Sequence, residues 1–248
     1  MARREEIFQN GDTFSSRHVG GDRENCGEMA TSTVEDYLKA LMRISDENEG
    51  RITVGAVAAE LSLTPGTVTA MMKHLSQEEY IKYEPRRSVA LLPKGRAHAL
   101  QVVRRHRLIE TFLVEVIGLD WAEVHEEAEI LEHVVSERLL AKIDEMLGHP
   151  TKDPHGDPIP NAAGEIAEVE NYSLADVGPG DFRLARVASE DASFLAWLSE
   201  NGLKPGCGLT FLSRKKAAGV TEIQVHGQEK PLQLGREAEA SLQVVKCK

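Results

Sequence analysis

The chain has 248 residues, 41% hydrophobic and 28% charged, enough for one large domain or two to three small ones. Its three cysteines, Cys26, Cys207 and Cys247, contain no CxxC pair, which argues against a disulfide framework or a thiolate zinc site and fits a reducing cytoplasm. No apolar run approaches the ~20 residues that span a bilayer, so no membrane partner is expected, and MARREEIFQNGDTF lacks the apolar core of a secretion signal.

The formal charge of −11 argues against nucleic acid only until it is mapped. Residues 31–107 hold 12 Lys/Arg against 9 Asp/Glu, and residues 108–168 hold 3 against 15. A basic stretch joined to an acidic one suggests polyanion binding in the first and cation binding in the second, although acidic helices are also common as solvated faces.

Residues 1–30 are polar, without an apolar period, and read as a flexible extension. Thr31-Ser32-Thr33 is a helix-cap cluster, followed by a helix with Val34, Leu38, Leu41 and Met42 at helical spacing. ITVGAVAAELSL forms a second short helix. Thr64-Pro65-Gly66-Thr67 then supplies a cap with proline at the first helical position, and Val68, Met71, Met72 and Leu75 continue as an apolar stripe. Two short amphipathic helices on a tight turn form a helix-turn-helix. YIKY and VALL flanking EPRRS form a hairpin, which makes residues 31–96 a winged helix.

Pro93-Lys94-Gly95 opens a long helix through about Ile117, closed by Gly118. Asp120 with Glu123 resembles a capping box and predicts one further helix from Trp121 to about Leu147. These helices occupy a module over 97–150, followed by a Pro/Gly-rich linker over 151–171. From 172 to 248 short β-like runs (FRLARV, LTFLS, TEIQV, SLQVV) with one helical insert, DASFLAWLSENG, predict a small, partly open SH3-like barrel.

In a major-groove helix the N-terminal residues read base edges while Lys and Arg hold phosphates. By position Thr64, Pro65, Thr67, Thr69 and Lys73 would face DNA, with Arg86 and Arg87 at the wing tip on phosphate or the minor groove. Winged helices also dock proteins, and that reading stays open. In the acidic module His125, Glu129, Glu132 and His133 fall at i, i+4, i+7 and i+8 along one helix face, and His106 and Glu110 are again i, i+4 on the preceding helix. So many carboxylates together repel one another unless a cation neutralises them; the six together point to a divalent metal site.

The runs VEDYLKAL, RRHRLIETFL, VHEEAEILEHVVS and PHGDPIP resemble the diphtheria-toxin-repressor family of metal-dependent transcriptional repressors, over about residues 32–168. The resemblance implies a mainly α protein with small β elements. Its parts would be an N-terminal winged helix-turn-helix, a helical dimerisation and metal domain, and a C-terminal SH3-like (FeoA-like) barrel. It implies a cytoplasmic homodimer that binds double-stranded operator DNA and represses metal-homeostasis genes. It places a primary metal site on Asp36, His106, Glu129, Glu132 and His133. An ancillary site would draw on Glu110, His125, Asp153 and His155, with Glu190 or Asp191 from the third domain. The iron-sensing branch has Met and Cys where this chain has Asp36 and Glu129, and the manganese-sensing branch has carboxylates at both. Mn²⁺ is therefore the expected ion, with Fe²⁺ the alternative and Co²⁺ or Zn²⁺ able to substitute in vitro. Lys39 stands where small manganese sensors carry a further carboxylate, which speaks against a two-metal cluster of their type.

Two rival functions remain at this point. A winged-helix regulator could sense an organic ligand, for which it would need an apolar pocket. The charged stripe argues against such an apolar pocket. A metallohydrolase could use Glu129-x-x-Glu132-His133, which partly matches His-x-x-Glu-His zinc peptidases but has Glu at the first position and leaves the basic wing without a role.

Overall fold

The computed structural model describes residues 24–85, 87–167 and 170–247, with side chains from Ser32 onward except that of Ser88. The expected extension over 1–23 and the wing-tip Arg86 lie outside the described residues. Helix α1 runs Glu24–Glu47, so residues 24–30, expected in the extension, are helical and Thr31-Ser32-Thr33 lies inside the helix instead of capping it. The sequence before Val34 has no apolar period, so periodicity does not reveal this part of the helix.

Tyr37, Leu38, Leu41, Met42 and Ile44 of α1 form one wall of the first core. Helix α2 (Val54–Glu60) is capped by Thr53. Helix α3 (Pro65–Gln77) is capped by Thr64, whose hydroxyl accepts from the Thr67 amide, and it buries Val68, Met72 and Leu75. Strands β1 (Ile81–Glu84) and β2 (Ser88–Leu91) pair antiparallel with Ile81 opposite Leu91. A Cβ at Gly95 would lie 2.2 Å from the Tyr80 carbonyl oxygen, so only glycine lets the next helix pass this close to the hairpin. The winged helix expected from the sequence is present.

Helix α4 (Pro93–Phe112) continues into a wider π-type turn, Leu113–Ile117, and ends at Gly118 with φ +83°. The single helix expected over 121–147 is instead two, α5 (Val124–Leu131) and α6 (Glu137–Met146). The Ser136 hydroxyl accepts from the Leu139 amide and starts α6 afresh. Apolar residues at Leu131, Val135 and Leu139 keep a helical period across the break, which is why periodicity alone does not reveal it. Asp120 likewise closes a short turn by accepting from the Ala122 amide, and α5 begins only after it.

The Pro/Gly-rich stretch after α6 is fastened down. Arg104 and Arg107 of α4 donate to the carbonyls of Pro160 and Pro158, each at 2.6 Å, and the Val187 amide donates to the His155 carbonyl. Gly156, at φ +88°, passes so close to the next sheet that a Cβ would sit 2.2 Å from the Ala185 oxygen.

The last module is an antiparallel sheet of β3 (Tyr172–Ser173), β4 (Gly180–Val187), β5 (Gly208–Lys215), β6 (Val220–Val225), β7 (Leu232–Gly235) and β8 (Leu242–Lys246), in the order β3-β8-β4-β5-β6-β7. Helix α7 (Ala192–Glu200) is the expected insert, while β3, β7 and α8 (Arg236–Ser241) were not expected. Register shifts at Leu184/Arg186 and Phe211/Ser213 bend the sheet into the SH3-like form. Trp121 and Ala122, from the helical module, are part of its core. Among the described residues no helix is long and apolar enough to cross a membrane.

Candidate metal centre

Four parts of the chain bring the carboxylates and imidazoles together: α1, α4, α5 with the corner after it, and the segment after α6 that carries Asp153 and His155. Asp36 follows the buried face of α1, so its carboxylate emerges at the seam with the helical module. Glu132 and His133 occupy the turn after α5, where the helix break allows the fully buried Glu132 to face inward. One ligand atom from each of Asp36, Glu132 and His133 lies within 4.8 Å of the others, and the same holds for His106, His125 and Glu129, and for Glu110, Asp153 and His155.

The first two groups adjoin through Glu132. Its Oε1 faces His133 Nε2 at 3.7 Å, and its Oε2 accepts from His106 Nδ1 at 2.6 Å. His133 Nε2 is 3.0 Å from Asp36 Oδ1. The expected primary set is therefore divided: Glu129 stands with His106 (3.3 Å) and His125 (3.7 Å) and not with Asp36. Lys39 lies between the acids, donating to Glu129 Oε1 at 2.5 Å and Glu132 Oε1 at 2.8 Å.

The third group is tied to the second by Glu110, whose Oε1 is 3.0 Å from His106 Nε2 and 3.5 Å from His125 Nδ1, and whose Oε2 is 3.6 Å from His155 Nδ1. Glu190 reaches His125 from the sheet module at 3.6 Å. Asp191 does not join them: it caps α7, accepting from the Phe194 amide and the Ser193 hydroxyl. Of the two alternatives, Glu190 or Asp191, it is Glu190 that stands beside the cluster.

The electrostatics follow from these contacts. Burial alone would lower the pKa of His106, but hydrogen bonds to Glu110 and Glu132 outweigh it and push the ring up to about 10. Burial would raise Glu110, yet His106, His125 and His155 hold it well below the usual carboxylate range. Burial lifts the Asp36 carboxyl, partly opposed by His133 and Lys39. Burial, with Asp157 and Glu110 nearby, lifts Asp153 to about 7. Buried acids that gather in this way call for cations, and the donor set fits a divalent ion: oxygens and imidazole nitrogens, without sulfur. Lys39 supplies one positive charge to Glu129 and Glu132 together, while Asp36, Glu132 and His133 are the group that joins α1 to the α5–α6 corner.

At the other end of the first module the expected DNA-facing residues line the start of α3. Thr64, Pro65, Thr67 and Lys73 are exposed and Thr69 is half-buried. Part of their hydroxyl capacity serves the helix itself: Thr64 and Thr67 bond to each other at 3.0 Å, and Thr69 donates to the Pro65 carbonyl. Arg87 projects from the wing, 82% exposed.

Sequence reasoning missed Glu35, a buried acid on the face of α1 that meets α4. Its signal was present as a carboxylate at a core-facing helical position beside Asp36. The role of Lys39 as an internal counter-ion was also not legible, because Glu129 and Glu132 lie about ninety residues away in sequence.

A winged helix whose first helix shares an acid–imidazole cluster with a second helical module is the build of a metal-dependent transcriptional regulator. Residues 29–89 match the N-terminal DNA binding domain of the iron dependent repressors, and residues 92–161 their metal binding and dimerisation domain. The iron-dependent repressor IdeR of Mycobacterium leprae is 32% identical over 211 residues, 79% of this chain and 90% of its own. The transcriptional regulator MntR of Bacillus pumilus is 33% identical over 119 residues, 48% of this chain and 81% of its own. A solved manganese-dependent transcriptional repressor in complex with manganese superposes with a TM-score of 0.80 at 33% identity, covering 86% of this chain and all of that one. The chain belongs to the diphtheria-toxin-repressor family of metal-dependent transcriptional repressors. It is a DNA-binding, dimerising repressor dependent on Mn²⁺ or Fe²⁺, and not an enzyme, which removes both the hydrolase and the organic-ligand readings.

Proposed function

We propose that this repressor senses Mn²⁺ in preference to Fe²⁺, through Asp36, Glu132 and His133 as primary ligands with Glu129 and His106 beside them. The observation that supports this is the meeting of Asp36, from the winged helix, with Glu132 and His133, from the helical module, within 4.8 Å. A divalent ion bound there would cancel the repulsion among these acids and join α1 to the α5–α6 corner. The absence of thiolate and thioether from the trio favours a hard, oxygen-seeking ion over softer ones. Glu110, Asp153 and His155, with His125 and Glu190 at their flank, form a second, ancillary site.

Asp36 precedes Tyr37 and Leu38 of the first core on α1, so fixing it against Glu132 would set the angle at which α3, packed on the same core, is presented. In a dimer, two α3 helices held about one DNA turn apart match a two-fold operator. Thr64, Pro65, Thr67 and Thr69 would then face base edges, and Lys73, Arg86 and Arg87 phosphates. Because DNA is the partner, the working compartment is the cytoplasm, and by the family resemblance the genes controlled serve metal homeostasis. Metal and operator strengthen each other's binding, by ~1–3 kcal/mol in such coupled systems.

The test selects bound duplexes from a randomised pool in Mn²⁺ and repeats the binding in chelator, for the parent and for Glu132→Ala with His133→Ala. The parent is expected to retain its selected duplex only with Mn²⁺, and the variant to lose that dependence. Unchanged metal dependence in the variant refutes the primary site. A series of Mn²⁺, Fe²⁺, Co²⁺ and Zn²⁺ at matched free concentration tests the preference.

A further inference from the structure

Glu35 lies in the first core but faces the metal cluster from behind. It is 7% exposed and makes three contacts. Its Oε2 accepts from His133 Nδ1 at 2.7 Å, its Oε1 accepts from Arg105 Nη2 at 2.5 Å, and Oε1 is 3.6 Å from His98 Nε2. A carboxylate held by an arginine is ionised and only accepts, so the proton on His133 at that contact belongs to Nδ1. The other nitrogen, Nε2, is the one that faces Asp36 and Glu132.

Two neighbouring residues of α1 thus hold one ring from both sides, Glu35 at Nδ1 and Asp36 at Nε2. A ring fixed in this way presents the Nε2 lone pair along a set direction, and the ionised partner at Nδ1 makes that nitrogen a stronger donor. Arg105 and His98 both lie on α4, and His98 packs edge-on against Tyr80 at 5.6 Å, immediately after α3. The carboxylate that orients His133 is therefore anchored to the scaffold that carries the wing.

We propose that Glu35 is a positioning residue of the metal centre, setting the tautomer and direction of His133 and tying that ring to α4 through Arg105. This inference rests on reading Asp36, Glu132 and His133 as the ion-binding trio.

The test compares the parent, Glu35→Gln, Glu35→Asp and His133→Ala in the full chain. Mn²⁺ binding is titrated directly by the electron paramagnetic resonance of the free ion, without DNA. The ¹⁵N resonances of the His133 ring are recorded in the chelated protein and in the Zn²⁺-loaded protein, zinc being diamagnetic. Glu35→Gln is expected to weaken Mn²⁺ by about 10- to 100-fold and to remove the preference for a proton on Nδ1. Glu35→Asp, which keeps the charge, is expected to restore part of both. Mn²⁺ affinity and ring resonances in Glu35→Gln equal to those of the parent overturn the inference. If Glu35→Gln does not fold, the parent alone decides: a His133 ring carrying its proton on Nε2 rather than Nδ1 in the chelated protein overturns the inference. An affinity loss with His133 still protonated at Nδ1 also overturns it, since the effect would then be one of packing alone. His133→Ala separates the two readings: parent-like Mn²⁺ binding in that variant refutes the trio itself, whereas its loss beside a parent-like Glu35→Gln refutes only the role of Glu35.

Discussion

At the scale of single residues the centre is governed by which positive group answers each buried acid. Lys39 answers Glu129 and Glu132; burial would lower its pKa, but the two carboxylates raise it above the usual lysine value. Replacing it by methionine keeps the stem and removes the charge. Lys39→Met is therefore expected to destabilise the chelated protein by about 1–3 kcal/mol, read by urea unfolding, with the deficit shrinking as Mn²⁺ is added. A deficit that persists unchanged at saturating Mn²⁺ would mean that Lys39 acts by packing.

The histidines give the pH dependence its sign. His106 and His155 are raised to about 10 and about 9, both against the effect of burial and both by Glu110, with Glu132 adding to His106. A raised folded-state value stabilises fully below the ordinary value of about 6.5 and is lost as pH climbs through 9 to 10. Glu35 is opposite: burial would raise it, but His98, His133 and Arg105 hold it down at about 2. Its contribution is present above the ordinary carboxylate value and is lost as pH falls towards 2. Melting temperatures in chelator should thus form a plateau between about 4.5 and about 6.5, the ordinary carboxylate and imidazole values, with a decline on each side. His106→Gln should flatten the alkaline side, and a parent that keeps its melting temperature from pH 8 to 10 would contradict this account.

Among the elements, the corner between α5 and α6 has the most influence on the site. Ser136 starts α6, and the preceding turn aims Glu132 and His133 at α1. Ser136→Ala should cost about 1 kcal/mol of stability and weaken Mn²⁺ binding as that turn loosens, both measurable on the purified protein. This corner also shows where sequence reading succeeded and stopped. The helix-turn-helix was legible because Thr64, Pro65 and the Val68, Met72 and Leu75 stripe agree on one local structure. The grouping of acids and imidazoles was legible because i, i+4 spacing survives in α4 and α5. The break was not, because apolar spacing runs across it and a single serine cap decides the matter. Strands β3 and β7 were missed since two to four residues carry too little pattern to show a period. The division of the ligands into adjoining groups depends on contacts between α1 and the corner, which no local window contains.

Across the whole molecule, apolar side chains remain uncovered mainly around the helical module: Val116, Ile117, Ile130, Val134, Leu139 and Met146 are each about half exposed or more. Such a concentration is what a dimer would cover. Ile130→Asp combined with Val134→Asp is expected to yield a monomer by sedimentation and to abolish the two-fold DNA complex, while the Mn²⁺ affinity of each chain stays close to that of the parent. A dimer that survives both substitutions would place the interface elsewhere.

Trp121 stacks on His155 with ring centres 5.3 Å apart, donates to the Ser199 hydroxyl at 2.5 Å and is 4% exposed among the residues of the sheet. The sheet module thus serves as the lid over an indole that belongs, by chain order, to the helices. A premature stop near residue 170 is expected to lower the melting temperature of the shortened chain, because it strips the cover from Trp121 and Ala122. It would bare the indole, unfasten the His155 backbone from β4 and leave a sticky seam for cellular proteases to find.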